Sequence, residues 1–150
     1  MKILITGGDS FIARNLFEQL CAEYDVISLN SKTFNLLDSE VVFNYLKYNR
    51  IDIVIHCATY DAAPKTSIKD PAQVLDKNLI MFFNIARCKD YVGKMIFFGS
   101  GAEFSRKHLK PKMKEDYFDQ HVPEDQYGLS KYLMTKFARE TKNIYNLRLF

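Results

Sequence analysis

The chain opens "MKILITGGDSFIARNL" (residues 1–16), and how these residues are read decides the fold. Lys2–Thr6 is a short, nearly continuous apolar run that reads as a buried strand, and from Phe11 onward apolar residues recur at helical spacing. Between them stands Thr6-Gly7-Gly8-Asp9-Ser10-Phe11-Ile12-Ala13, with the cadence of a turn that offers backbone N–H groups and a helix N-terminus to a phosphate. In the G-x-G-x-x-G/A form of this turn the first glycine makes the bend, the second lets the backbone approach the phosphate, and the third position sets helix-to-strand packing. Gly7 fits the first role and Ala13 is accepted in the third, whereas Ser10 brings a Cβ and a hydroxyl to the second. Ser10 either obstructs a phosphate or donates to it, and Asp9 repels one unless it points to solvent. On these residues alone a nucleotide turn and a plain tight turn both stand.

The same alternation continues along the chain. Val26–Leu29, Ile53–Cys57, Lys94–Gly99 and Ile144–Leu149 read as further strands, with Thr33–Leu36 as a brief sixth. Phe11–Tyr24, Ser39–Asn49, Pro71–Tyr91 and Asp125–Lys142 carry helical periodicity, and Asp70-Pro71-Ala72-Gln73 reads as a helix start. Apolar strands alternating with helices predict a doubly wound α/β fold, a parallel sheet in the order 3-2-1-4-5-6. The lysine-rich stretch Ser105–Pro123 is long for a connection, so it is either functional or disordered. The chain ends on an apolar strand, Asn146–Phe150, which suggests the N-terminal part of a longer protein.

At 150 residues, 47% hydrophobic and 26% charged, the composition is that of one soluble domain with a core of its own. A net charge of +3, with no basic stripe, gives no reason to expect nucleic acid. Cys21, Cys57 and Cys88 are widely spaced in apolar stretches, which predicts reduced core thiols, a cytoplasmic protein and no metal site. No apolar run reaches the roughly 20 residues of a membrane span.

Two further stretches carry chemistry. "QYGLSKYLMTKFA" places Tyr127 and Lys131 one helical turn apart, where an ammonium can stabilise a phenolate and make a proton-transfer pair. Ser100, at the end of a predicted strand, supplies a hydroxyl able to hold a substrate oxygen beside Tyr127. After the second strand, Asn30-Ser31-Lys32 offers no acid for a ribose 2′-hydroxyl and one cation, which leans toward NADP over NAD.

With these residues in order, the chain resembles the extended short-chain dehydrogenase/reductases, the NAD-dependent epimerase/dehydratase family. The shared positions are Thr6-Gly7-Gly8-x-x-Phe11-Ile12, His56-x-Ala58, Ser67-x-x-Asp70-Pro71, Asn78 with Asn84, Ser100, Tyr127-Gly128-x-Ser130-Lys131 and Leu147-Arg148. "FNLLDSEVVFNYLKYNRIDIVIHCAT" and "FFGSGAEF" are most similar to the GDP-L-fucose synthase branch, with the dTDP-4-dehydrorhamnose reductases as neighbours. The resemblance implies an NAD(P)-dependent reductase or epimerase of a nucleotide-linked sugar; the alternative is a degenerate dinucleotide-binding module with a regulatory or assembly role. It implies Tyr127 as general acid/base, Lys131 as its activator and a ribose ligand, Ser100 as the orienting hydroxyl, and Asn78 supporting Lys131 through a water. Gly7, Gly8, Ser10, Phe11 and Ile12 would hold the pyrophosphate, Asn30, Ser31 and Lys32 the ribose. Asn35 and Leu36 would face the adenine, and Cys57, Ala58 and Thr59 would pass beneath the cofactor. Ala102 replaces the cysteine that the fucose synthase branch uses in epimerisation, and His108 and His121 have no assigned role. The resemblance further implies a homodimer through a four-helix bundle of the 71–91 and 125–142 helices, using Met81, Phe82, Phe83, Tyr132, Leu133 and Phe137. The family's substrate-binding lobe follows the last strand present here, so little turnover is expected of these residues alone.

Overall fold

A computed structural model describes residues 1–62 and 68–150, so Ser67 lies outside the described residues. Five parallel strands, β1 (Lys2–Thr6), β2 (Asp25–Leu29), β3 (Ile53–His56), β4 (Lys94–Ser100) and β5 (Ile144–Leu149), form one sheet in the order β2-β1-β3-β4-β5. These are the expected positions without the outermost strand. Thr33–Leu36 does not pair because Asn30 folds the chain back on itself. Its Oδ1 accepts from the Lys32 and Thr33 N–H groups at 3.0 and 3.3 Å, and its carbonyl accepts from Phe34 N–H at 2.8 Å. Side-chain-to-backbone bonds of this kind compete with a sheet ladder.

The helices are α1 (Phe11–Leu20), α2 (Ser39–Asn49), α3 (Val74–Ala86) and α4 (Gln126–Arg139). The predicted 71–91 helix is broken into a 3-10 turn at Pro71–Gln73, α3, and a second 3-10 turn at Lys89–Tyr91. Helix α1 packs on one face of the sheet, where Ala13 is buried against Ile3, Ile5 and Ile55. On the other face α2, α3 and α4 cover the main core around Leu4, Val54, Phe82, Met95 and Phe97. The α1 face stays open over β5, where Tyr145, Leu147 and Leu149 are 48%, 51% and 46% exposed.

The 105–123 stretch is ordered. Phe104 and Phe118 form a small core with Tyr132 of α4, and Lys136 binds Asp119 at 3.0 Å. The expectation of three core thiols holds for Cys88, while Cys57 is half-buried and Cys21 is exposed, since it caps α1 on its solvent side.

Candidate dinucleotide and proton-transfer site

The turn between β1 and α1 is shaped by steric necessity. Gly7 sits at φ +71°, and a Cβ there would fall 2.7 Å from the Ala58 backbone. At Gly8 a Cβ would meet Ser28 Oγ at 2.7 Å, and the Gly8 N–H donates to Leu29 O at 2.9 Å, tying the turn to the end of β2. Ser10 is the N-cap of α1: its Oγ accepts from Ala13 N–H at 3.3 Å. The Cβ that the sequence flagged as an obstacle therefore carries a cap. The hydroxyl proton remains available to donate, and Ser10 stays on the wall of the cleft.

That cleft, about 560 Å³, runs across the carboxyl ends of β1, β2 and β3. It gathers Gly7, Ser10, Asn30, Ser31, Asn35 and Leu36 on one side and Cys57, Ala58 and Thr59 on the other. Gly8, Phe11, Ile12 and Lys32 are not on its wall. Asp9, Phe34, Tyr60, Lys69, Lys77 and Met81 are there too, though sequence reasoning gave them no cofactor role. Lys69 and Lys77 hold their ammonium groups 4.9 and 4.4 Å from the Tyr60 ring centre. The glycine turn, the helix N-terminus beside it and a cleft of this size fit a dinucleotide.

Asn78 is tied to the segment after β3: its Oδ1 accepts from Tyr60 N–H at 2.7 Å and its Nδ2 donates to Tyr60 O at 2.9 Å, which fixes that segment where it lines the cleft.

Beyond Cys57 lies the second group. Ser100 ends β4, while Tyr127 and Lys131 come from the first turns of α4, whose N-cap Asp125 accepts from Gly128 N–H at 2.8 Å. Ser100 Oγ accepts from Ala102 N–H at 3.1 Å, and the Ser100 side chain lies near enough to Tyr127 to lower its pKa. The Lys131 ammonium lies 5.7 Å from the Tyr127 ring centre and donates to Phe98 O at 2.9 Å. Burial brings Lys131 down to about 8, against the opposing pull of Glu103. Burial also raises Tyr127 above its ordinary value, more than Ser100 and Arg106 lower it, so Tyr127 keeps its proton at neutral pH. Burial carries the Cys57 thiol up to about 12, so it is no nucleophile.

Under Ser100 lies a residue that sequence reasoning missed. The Glu103 side chain is fully buried; Oε1 accepts Ser100 N–H at 3.0 Å and Oε2 accepts Arg148 Nε at 2.8 Å. Gly99 leaves it room, because a Cβ there would lie 2.1 Å from Glu103 Oε1. Arg148 continues the network to Glu115. The rings of His108 and His121, unassigned from sequence, stack 3.7 Å apart over this loop.

A doubly wound sheet with a glycine turn at the head of a cleft that crosses its strand ends defines a class, the dinucleotide-binding α/β folds. Residues 3–150 match the model of the NAD dependent epimerase/dehydratase family, and the chain belongs to that family. It is 32% identical over 87 residues to GDP-L-fucose synthase of Azorhizobium caulinodans, covering 56% of this chain and 27% of that protein. A GDP-6-OMe-4-keto-L-xylo-heptose reductase from C. jejuni superposes with a TM-score of 0.87 at 20% identity, over 98% of this chain and 45% of that one. The dTDP-4-dehydrorhamnose reductase of Bacillus anthracis, solved with NADP, gives 0.82 at 25% identity, over 98% and 52%. The chain therefore spans about half the length of these structures or less. Among the described residues no helix is long and apolar enough to cross a membrane, and no three metal-ligating side chains gather.

Proposed function

We propose that this chain is the dinucleotide-binding part of an NAD(P)-dependent reductase or epimerase acting on a nucleotide-linked sugar. The observation that carries the reading is the joint placement of Ser100, Tyr127 and Lys131 beside Cys57, where the cleft floor ends. The bound nicotinamide would supply the hydride to a sugar carbonyl carbon. Ser100 would hold the carbonyl oxygen, and Tyr127, protonated and near Ser100, would give that oxygen its proton. Lys131 would face the cofactor ribose and steady the phenolate left behind. Ala102, half-buried after Ser100, offers no acid or base, which favours reduction over epimerisation.

The dinucleotide form is balanced between Lys32, which follows β2 and favours NADP, and Asp9, which opposes it. A homodimer through α3 and α4 would have to use Ile80 and Phe83, both exposed. Phe82 and Tyr132 are buried inside the chain and cannot serve. Sedimentation at several concentrations tests this, a strict monomer excluding it.

Calorimetric titration of the folded chain with NADH and NADPH tests the main reading. Binding of at least one is expected; binding of neither moves the chain to the regulatory or assembly alternative. In a protein that also carries a substrate-binding lobe, Tyr127→Phe should abolish sugar reduction while leaving dinucleotide binding intact.

A further inference from the structure

NAD and NADP differ by a hydroxyl or a phosphate on the adenosine ribose, and in this fold an acid at the end of the second strand usually takes the hydroxyl. Asn30 occupies that place, but its amide is engaged within the protein. Its Oδ1 holds the Lys32 and Thr33 N–H groups, and its Nδ2 donates to Asp9 Oδ1 at 3.0 Å. The result is that a carboxylate from the glycine turn is held against the end of β2, on the cleft wall. The second oxygen of Asp9 accepts no hydrogen bond among the described residues. Lys32, the cation that would greet a phosphate, is exposed and off that wall. The cations that do line the cleft, Lys69 and Lys77, gather over Tyr60 just past β3, on the far side of β1 from β2.

We infer that Asp9, carried on the turn rather than on β2, selects the cofactor: its carboxylate accepts the ribose 2′-hydroxyl of NAD(H) and repels the 2′-phosphate of NADP(H). Asn30 is then a positioning residue that aims Asp9. A hydroxyl donating to a carboxylate makes a charge-assisted bond, whereas a phosphate beside the same group brings two anions together. The inference rests on the dinucleotide reading above and decides between its two forms.

Titration calorimetry on the whole 150-residue chain tests it, with NADH and NADPH as probes, on the parent and on Asp9→Asn. The asparagine keeps the size and an oxygen for Asn30 while removing the charge, and a thermal melt checks that it folds. The parent should bind NADH about tenfold or more tighter than NADPH, and Asp9→Asn should bring the two within about threefold, chiefly by gaining NADPH. A parent that prefers NADPH, or a ratio unchanged in Asp9→Asn, would overturn the inference while leaving dinucleotide binding in place. Binding of neither probe by a folded parent would overturn the dinucleotide reading itself.

Discussion

At the β1 turn the candidate site is built from backbone, and at the end of β4 it is built from buried side chains. The first end is built from two glycines and a capped helix start, and its polar side chains sit at the rim. The second holds Lys131 and Glu103 almost wholly out of water, where each depends on named partners. A backbone site tolerates changes at its rim, which is why Ser10 and Asn30 can depart from the family pattern without closing the cleft. A buried polar site tolerates few, because every group left without a partner costs free energy.

Substitutions can break this contrast. Gly7→Val should have the largest effect, about 4 kcal/mol or more, since it combines a strained backbone with a collision against Ala58. Urea unfolding measures it, and loss of dinucleotide binding should accompany it. Glu103→Ala should cost about 3 kcal/mol by leaving Arg148 with only the exposed Glu115 as partner. If it proved neutral, the second end would be no more demanding than the first.

The Lys131 ammonium sharpens the comparison through pH. Its folded value of about 8 lies below the ordinary 10.5, so between these values the unfolded chain holds the extra proton and stability rises with pH. Below about 8 the folded chain bears the full cost of a buried cation. Relative to Lys131→Met, the parent should therefore gain about 2–3 kcal/mol between about pH 7 and about pH 10, as urea unfolding would measure. The smallest effect is expected at the rim. Ser10→Ala should lose about 1 kcal/mol with the helix cap, and Ser10→Gly only a few tenths, as thermal melts would register. A dinucleotide affinity unchanged by both would show that the hydroxyl donates nothing to the ligand.

The two ends were also unequally legible. Every strand that pairs was readable from apolar runs, since parallel strands are buried on both faces and carry little else. Thr33–Leu36 failed because its alternation competes with an Asn30 turn that local pattern does not reveal. Gly7, Ser100, Tyr127 and Lys131 were singled out from local spacing and chain order. Glu103 was not, because a buried carboxylate in "GSGAEF" acquires its meaning only from Asn146 and Arg148, brought next to it by strand pairing. Asp9 was recognised as a difficulty for a phosphate, and only the contact with Asn30 shows toward which part of the cleft it is held.

The open side of β5 has a consequence for how this molecule behaves in a test tube. Among the described residues β5 pairs only with β4, and Tyr145, Leu147 and Leu149 make the adjoining face greasy. Strand-to-strand adhesion between molecules is favoured there, with no charged gatekeeper among those three side chains to interrupt it. A net charge of +3 offers little repulsion against such adhesion at high concentration.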